Sequence, residues 1–459
     1  MLSRFGGLGT HRYGVGFSGD APQSYHTLQM QVEMTPKASN VLFGYWSHDV
    51  GGFHNGTVIK GFAKGYPYVG DEDPSDPSQS EMFLRWLQFA TFAPIFRTHC
   101  QLEPIPQANI CDPRRSAHCT GCERRIWKFI HHYPLMKDAM VLRNGLAPYI
   151  YTAVRAAYDS SGGILHPLYY DHPEAEKAYE YQNTQYKFGG DMIVAPITEA
   201  AVDSPVNGSV NKTVWLPEGA WVEWGGEVTH HGPILLNQRY TQAEVPVFVK
   251  ATAVIPMKTM SSVAAVVPGT LVWLLFPAAG AGSGSGQAYE DDGETVAAKA
   301  DTVAGREDAR HSSVTTARWS GGCHEGGVLK LTIAAAGWHT AMPETRKHAL
   351  QLRGCHSPPR AAAVNGVALP HHRATLQLPQ QQQRSTAATS SSSSDGGGSR
   401  EPSGEAGWWM AGGGGGDDSG TTRATFEPSL LHGDAHTLFV GLGEHQSRGG
   451  ATATVTLEF

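Results

Sequence analysis

The sequence predicts a chain in which an α/β segment of the barrel type is followed by two β-sandwich domains. The first 160 residues contain two amphipathic helical patterns separated by a short apolar run, and strand followed by helix is the repeating unit of an α/β barrel. From about Ile164 the chain changes to short apolar runs separated by Gly, Pro and Asp, which is typical of β-sandwiches. A length of 459 residues is sufficient for two or three domains.

The α/β segment contains two helical patterns. Four apolar residues at positions i, i+3, i+4 and i+7 predict a helix that ends before Pro94, namely Phe83, Trp86, Leu87 and Ala90. A second helix is predicted from about Met136 to Tyr158, with a kink at Pro148 because proline lacks an amide hydrogen. Between them, residues 93–99 read as a short buried strand that ends in polar groups.

Domain boundaries are predicted after residues 160 and 260, giving an α/β segment 1–160, a proximal β-sandwich 161–260 and a distal β-sandwich 261–459. Six apolar runs are the predicted strands: Met192–Ala195, Thr213–Leu216, Val245–Val249, Thr270–Phe276, Val328–Ile333 and Ala451–Leu457. Runs of Gln, Ser and Gly between about residues 378 and 424 cannot bury a core, so they predict a disordered insert.

Charge argues against two classes of partner. The chain has 35 basic and 42 acidic residues, a net charge of −7, and no long basic run. We therefore expect neither a nucleic-acid-binding nor an anionic-membrane surface. The uncharged stretch from Ser261 to Tyr289 is interrupted by Pro268 and Pro277 and is not expected to cross a membrane.

The compartment and the oligomeric state are left open. Residues 1–7 lack the charged and then apolar layout of a signal peptide. Three Asn-X-Ser/Thr sequons, at Asn55, Asn207 and Asn211, would suit a secretory protein, although such matches are frequent by chance. Nothing in the sequence indicates how many copies associate.

The six cysteines are too sparse for a disulfide scaffold in a chain of this size. Four of them lie close together and resemble the ligands of a zinc site: Cys100, Cys111, Cys119 and Cys122. Only one Cys-X-X-Cys pair is present, so an ordinary loop of mostly free thiols is favoured over a structural metal or a disulfide. We predict no metal.

A nucleotide cofactor is also not expected. Gly14-Val-Gly-Phe-Ser-Gly19 matches the dinucleotide fingerprint. That mechanism requires a preceding strand, a helix that begins at the third glycine and an acidic residue about 20 residues on. Here the preceding residues are glycine-rich and polar, and Pro22 and Glu33 are in the wrong places. We therefore predict no cofactor.

Charged residues that lie among glycines and aromatics are the candidates for a chemical function. They are Arg4, Arg12, Asp20 and Asp49. Sugar sites use such a combination, because rings stack on apolar sugar faces while carboxylates and Arg bind hydroxyls and one acid donates a proton. Turn aspartates and buried ion pairs have the same composition, and composition alone favours that plainer interpretation.

Several motifs occur in one order. The α/β segment contains Arg12-Tyr, Phe17-Ser-Gly-Asp20, Trp46-Ser-His-Asp49-Val-Gly-Gly-Phe53 and Pro94-Ile-Phe-Arg-Thr-His99. The later part contains Asp191-Met-Ile-Val-Ala-Pro196, Leu216-Pro-Glu-Gly-Ala-Trp221 and Tyr289-Glu-Asp-Asp-Gly293. Over about 290 residues this order resembles family 31 glycoside hydrolases, the α-glucosidase and α-xylosidase family. The resemblance implies the C-terminal half of a (β/α)8 TIM barrel followed by two β-sandwich domains.

The resemblance implies a role for each matching residue. Asp20 matches the general acid/base, which protonates the leaving oxygen and then deprotonates water. Phe17 stands where many members have Trp. Arg12 matches a recurrent arginine of structural role. The substrate-binding residues implied are Arg4, Phe17, Asp49, Phe53 and His99.

The implied activity is hydrolysis of O-glycosyl bonds by a retaining exo-α-glycosidase, with an α-glucoside as the expected substrate and no cofactor. An α-xylosidase or an α-transglucosidase of the same family is the alternative. The family nucleophile is an aspartate on an earlier barrel strand, and no residue of this chain matches it. We therefore expect a fragment or truncated gene model. Alternatives of other classes are a carbohydrate-binding protein lacking the nucleophile and a zinc-stabilised module built on Cys100–Cys122.

Overall fold

The structure, a computed structural model, describes residues 2–3, 9, 15–53, 75–100, 125–225, 228–259, 268–277, 282–300, 310–353, 355, 359–369, 407–410, 438–446 and 452–459. These residues fall into two compact units that divide between Ala251 and Thr252. The boundary predicted after residue 160 lies within the first unit. The boundary predicted after residue 260 lies nine residues beyond Ala251.

The first unit begins with a small parallel sheet. Strands β1 (Leu2–Ser3), β2 (Val15–Phe17) and β3 (Trp46–Ser47) pair in that order. A parallel bridge between Val50 and Thr98 places the segment before His99 beside the chain that leaves β3. The strand predicted at 93–99 is thus reduced to one bridge. Its first residue, Ala93, instead donates its amide to the carbonyl of Ala90 in the last turn of the preceding helix, at 3.2 Å.

Four helices accompany this sheet: α1 (Tyr25–Lys37), α2 (Pro77–Thr91), α3 (Tyr133–Gly145) and α4 (Ala147–Ser160). The helix predicted before Pro94 is confirmed as α2, whose residues from Gln79 to Thr91 are all buried. The single helix predicted from Met136 to Tyr158 is wrong, since the chain forms α3 and α4 instead. Pro148 lies in the first turn of α4, where its missing amide hydrogen removes no helical hydrogen bond.

The rest of the first unit is an antiparallel sheet in the order β4-β5-β6-β9-β7-β8. The strands are β4 (Leu165–His166), β5 (Tyr186–Phe188), β6 (Met192–Val194), β7 (Ser209–Glu223), β8 (Thr229–Thr241) and β9 (Val247–Lys250). A short helix, α5 (Glu176–Glu180), lies between β4 and β5 in the chain. Strands predicted around residues 192, 213 and 245 are confirmed as β6, β7 and β9. Its core includes Ile193, Trp215, Trp221 and Phe248.

The second unit contains a five-stranded sheet, β10-β11-β15-β19-β18, and a six-stranded sheet, β12-β13-β14-β20-β16-β17. The strands are β10 (Val254–Lys258), β11 (Thr270–Leu275), β12 (Gly282–Asp291), β13 (Ser312–Gly321), β14 (Val328–Trp338), β15 (Thr345–Leu352), β16 (Ala361–Val364), β17 (Val367–Ala368), β18 (Gly407–Met410), β19 (Leu438–Gln446) and β20 (Thr452–Glu458). The predicted strands near residues 270, 328 and 451 are confirmed as β11, β14 and β20.

One buried cluster joins the two sheets of the second unit. Trp273 and Leu350 of the five-stranded sheet and Trp319 and Leu331 of the six-stranded sheet belong to it, so the sheets pack against each other. β18 lies within the insert predicted at 378–424 and pairs with β19. The other residues of that insert lie outside the described part of the chain.

Two cysteines of the second unit, Cys323 and Cys355, are joined by a disulfide with Cα atoms 5.5 Å apart. Cys100 of the first unit is also disulfide-bonded. The expectation of mostly free thiols is therefore wrong for Cys100, and its sulfur is not available as a zinc thiolate. In the part of the chain that the structure describes, no helix is both long and apolar enough to cross a membrane.

Candidate active site

The candidate site lies where successive parallel strands end. Asp20 comes three residues after the end of β2, Asp49 two residues after the end of β3, and His99 directly after the bridging residue Thr98. Parallel strands present their carboxyl ends at the same edge of a sheet, which in barrels is the edge that carries the active site. Asp20 and His99 are exposed there, whereas Asp49 is buried.

Arg97 connects three parts of this edge. Its Nη2 forms an ion pair with Oδ1 of Asp49. Its Cζ lies 4.9 Å from the centroid of the Phe17 ring, which is the geometry of a cation–π contact. Its carbonyl accepts a hydrogen bond from the amide of Val50 at 3.1 Å. Arg97 is not among the site residues predicted from the sequence, although it lies two residues before His99 in the same motif.

Phe53 and His99 form an aromatic pair with ring centroids 5.4 Å apart and planes inclined by 43°. The amide of Phe53 donates to the carbonyl of Ala21 at 2.7 Å. Since Ala21 follows Asp20, this hydrogen bond holds the loop after Asp20 against the turn that carries Phe53. Two predicted substrate-binding residues are thus in contact, and the backbone of one of them, Phe53, is bonded to the residue that follows the predicted acid.

The turn before Phe53 depends on glycine. Gly52 has φ +83°, and its amide donates to the carbonyl of Asp49 at 2.8 Å. A Cβ at position 52 would lie 2.7 Å from the backbone N and Cα of Gln23. Only glycine fits this conformation and this approach without displacement.

His48, the residue before Asp49, packs against helix α2. Its ring is fully buried and stacks on Phe89 of α2, with centroids 4.9 Å apart and planes inclined by 24°. Burial, with a smaller effect of the Arg97 charge, lowers the pKa of His48 to about 3. The imidazole next to Asp49 is therefore neutral at physiological pH. The buried packing of His48 was not predicted from the sequence, because nothing about a histidine between Ser47 and Asp49 indicates that it is buried.

Arg143 of α3 holds the segment that leads to Arg97. It donates from Nη1 to the carbonyl of Thr91 at 3.1 Å and from Nη2 to the carbonyl of Pro94 at 2.9 Å. These carbonyls lie at and just after the end of α2, where carbonyl groups have no hydrogen-bond donor within the helix. Burial lowers the pKa of Arg143 to about 10, so the side chain stays charged at neutral pH.

Several predicted residues lie outside the described part of the chain: Arg4, Arg12, Asn55, Cys111, Cys119 and Cys122. Among the residues that the structure does describe, no three His, Cys, Asp or Glu side chains are grouped to hold a metal ion. The site as described therefore consists of carboxylate, guanidinium, imidazole and phenyl groups.

Two family models match the chain. Residues 1–153 match the Glycosyl hydrolases family 31 TIM-barrel domain, and residues 162–255 match the Glycosyl hydrolase family 31 C-terminal domain. Together these ranges include more than half of the chain. The protein thus has a TIM-barrel domain of this family followed by C-terminal domains, in a mixed α and β structure with more strand than helix.

Relatives agree with this match. An alpha-xylosidase of Saccharolobus solfataricus is 26% identical over 261 residues, 56% of this chain and 30% of that protein. Alpha-glucosidase 2 of Bacillus thermoamyloliquefaciens is 24% identical over 298 residues, 64% of this chain and 32% of that protein. The chain therefore spans about a third of the length of these curated relatives.

A solved structure shares the fold. The GH31 dextranase of Flavobacterium johnsoniae, in a complex with isomaltotriose, superposes with a TM-score of 0.65 at 20% identity, covering 98% of this chain and 44% of that one. With both family models matched in order along the chain, the sequence motifs and the fold agree, and the chain belongs to glycoside hydrolase family 31.

Proposed function

We propose that this chain carries the acid/base and sugar-binding residues of a retaining exo-α-glycosidase, with α-glucosidase activity. The observation that carries the proposal is the placement of Asp20 and Asp49 after neighbouring parallel strands and of His99 after the parallel bridge at Thr98. Family membership supports it, because members of family 31 are glycoside hydrolases. The substrate would be an α-glucoside or a related oligosaccharide.

The same proposal extends to the architecture. Residues 1–160 would be the C-terminal half of the (β/α)8 barrel, and the domains 161–260 and 261–459 would be β-sandwiches. The parallel order β1-β2-β3 with its helices supports the first assignment. The antiparallel sheet of the first unit agrees with a β-rich domain at 161–260, and the two packed sheets of the second unit support the sandwich assigned to 261–459.

Asp20 would act first as an acid and then as a base. Retaining glycosidases place two carboxylates about 5–5.5 Å apart, one of which protonates the leaving oxygen while the other attacks the anomeric carbon. After the leaving group departs, the first carboxylate removes a proton from water. The exposed position of Asp20 is compatible with both proton transfers. We propose no residue of this chain as the nucleophile.

The other residues would bind the sugar. Asp49 would accept hydrogen bonds from hydroxyls, held in place by Arg97. His99 would bind a further hydroxyl, and Phe53, which packs on it, would form an apolar wall. Phe17 would contribute a smaller aromatic surface than the tryptophan common in the family, with the Arg97 guanidinium over its ring.

An α-xylosidase is the second candidate, favoured by the matched alpha-xylosidase relative. A xyloside lacks the hydroxymethyl group of a glucoside, so the two activities differ in one small pocket. An α-transglucosidase would use the same residues and differ only in whether a sugar or water intercepts the intermediate. Rates on matched aryl α-glucosides and α-xylosides separate the first two, and product analysis at high sugar concentration reveals the third.

The test of the proposal is the Asp20→Asn variant of the natural full-length protein. On maltose, whose leaving group needs a proton, we expect kcat to fall by about 10²–10⁴. On dinitrophenyl α-glucoside, which needs no proton, the loss should be much smaller. Glu33→Gln on α1 is the control carboxylate and should leave both rates unchanged. An equal loss on both substrates would refute the acid role, and sugar binding without turnover by the wild type would favour a carbohydrate-binding protein.

A further inference from the structure

Two of the sequons fall in the described part of the chain and lie close together around the start of β7. Asn207-Gly-Ser209 precedes the strand, and Asn211-Lys-Thr213 lies within it. Both fit the acceptor pattern for N-linked glycosylation. The structure gives the two asparagines different surroundings.

Asn211 lies on the outer face of the β7–β8 ribbon. It pairs with Arg239 of β8, and both residues are exposed. Its neighbours in the strand, Val210 and Lys212, are buried on the opposite face. Residues two apart in a strand share a face, so Thr213 projects to the same side as Asn211. A glycan on Asn211 would therefore extend into solvent without displacing the core.

Asn207 is exposed, but the loop around it is held by hydrogen bonds. Its backbone N–H donates to Oε1 of Gln242 at 2.8 Å. Gln242 is itself buried and donates from Nε2 to the carbonyl of Pro205 at 2.9 Å. The hydroxyl of Ser209, the third residue of this sequon, donates to Asp203. Ser209 is buried, so the hydroxyl of this sequon is already bonded within the fold, whereas Thr213 of the other sequon is partly exposed.

The disulfides supply an independent observation. Cys323 and Cys355 are joined, and Cys100 is disulfide-bonded. Disulfides form and persist in oxidising environments such as the lumen of the endoplasmic reticulum and are rare in the cytosol. Enzymatic N-glycosylation of sequons takes place in that same lumen. A chain that gains these disulfides there also meets the glycosylation machinery.

We propose that Asn211 is an N-glycosylation site and that Asn207 is not. The donor would be an oligosaccharide linked to a lipid pyrophosphate. The Nδ2 atom of Asn211 would form a bond to the anomeric carbon of the first sugar while the bond from that carbon to the pyrophosphate oxygen breaks. The lipid pyrophosphate leaves, and the amide gives up one proton. No oxidation or reduction is involved.

This site is independent of the proposed glycosidase activity. Asn211 belongs to β7, whereas Asp20 and Asp49 follow strands of the parallel sheet and His99 follows the bridge at Thr98. Occupancy of Asn211 is measured by mass, so failure of the glycosidase proposal would leave this result unaffected. A catalytically inactive Asp20→Asn protein should carry the same glycan as the wild type.

The test uses the protein isolated from its natural source. Peptide N-glycosidase in heavy-oxygen water converts a glycosylated asparagine into labelled aspartate, and fragmentation of the peptide locates the label. We expect the label at Asn211 and unmodified amide at Asn207. An unmodified Asn211, or a label at Asn207 alone, would overturn the proposal.

Variants made in the same host separate modification from structure. Thr213→Val keeps the asparagine and removes the sequon, so Asn211 should lose its glycan while the protein stays folded. Asn211→Gln should likewise remove the mass of one glycan from the protein. Asn207→Gln is the matched control and should leave the glycan mass unchanged. A glycan that persists in Thr213→Val, or disappears in Asn207→Gln, contradicts the assignment.

Discussion

Arg97 forms an ion pair with Asp49, and the side chain of Asp49 is completely buried while that of Arg97 is 30% exposed. The pair joins the segment after α2 to the chain that leaves β3. Because Arg97 also contacts the Phe17 ring, one side chain fixes two residues proposed to bind sugar. Replacing Arg97 therefore tests the organisation of the site without removing any of the groups proposed to bind sugar.

Arg97→Met should weaken both stability and substrate binding. Removing one partner of a fully buried pair typically costs about 3–5 kcal/mol, and the partial exposure of Arg97 reduces the expected loss to about 2–3 kcal/mol. KM for an aryl α-glucoside should rise more than kcat falls, since the role proposed for Asp49 is to bind sugar in both ground and transition states. Urea unfolding and steady-state kinetics measure the two effects.

Arg97→Lys is the matched variant and should recover part of the stability, because it keeps the charge but loses the planar guanidinium. Unchanged unfolding and unchanged KM in Arg97→Met would show that the ion pair has no influence on the site.

Gly52→Ala should disrupt the turn between Asp49 and Phe53. A side chain at φ +83° is strained, and its Cβ would meet the backbone of Gln23 at 2.7 Å. We expect a loss of about 2–4 kcal/mol in the free energy of unfolding together with a rise in KM. Gly190→Ala is the control, since nothing lies within 4 Å of a Cβ there. Equal unfolding free energies for the two variants would contradict the proposed strain.

Local patterns predicted the packing elements better than the site contacts. The apolar stripe through Trp86 predicted α2, because helix periodicity depends only on residues close together in the sequence. The break between α3 and α4 was missed because Pro148 is compatible with either a kink or a helix start. The contacts of Arg97 and the burial of His48 depend on residues distant in sequence. The motifs placed Asp49, Phe53 and His99 in one group, and periodicity alone could not have done so.

His48 should make the protein sensitive to acid. Its pKa falls from an ordinary 6.5 to about 3 in the folded state, so the unfolded chain binds the proton more strongly between these values. Stability from this group is therefore complete above pH 6.5 and is lost as the pH falls toward 3, by on the order of 4 kcal/mol. Thermal unfolding of wild type and His48→Phe from pH 7 to pH 4 measures it.

The two proteins should have similar stability at pH 7, because phenylalanine preserves the stacking on Phe89. The variant should lose less stability toward pH 4. His26→Gln replaces an exposed histidine of α1 and should retain the wild-type pH dependence. Parallel pH profiles for wild type and His48→Phe would assign the acid sensitivity to other groups.

Glu290 of β12 and Arg346 of β15 form a buried bidentate ion pair between the two sheets of the second unit, with N–O distances of 2.5 and 3.0 Å. Arg346→Met should destabilise by about 3–5 kcal/mol, because it leaves a carboxylate buried in an apolar core. The double variant Glu290→Leu, Arg346→Met should unfold at a higher urea concentration than the single variant, since no uncompensated charge remains. Arg360→Met interrupts an exposed pair with Glu325 and should cost far less. If Arg346→Met were as mild as Arg360→Met, or the double variant less stable than the single one, the desolvation argument would fail.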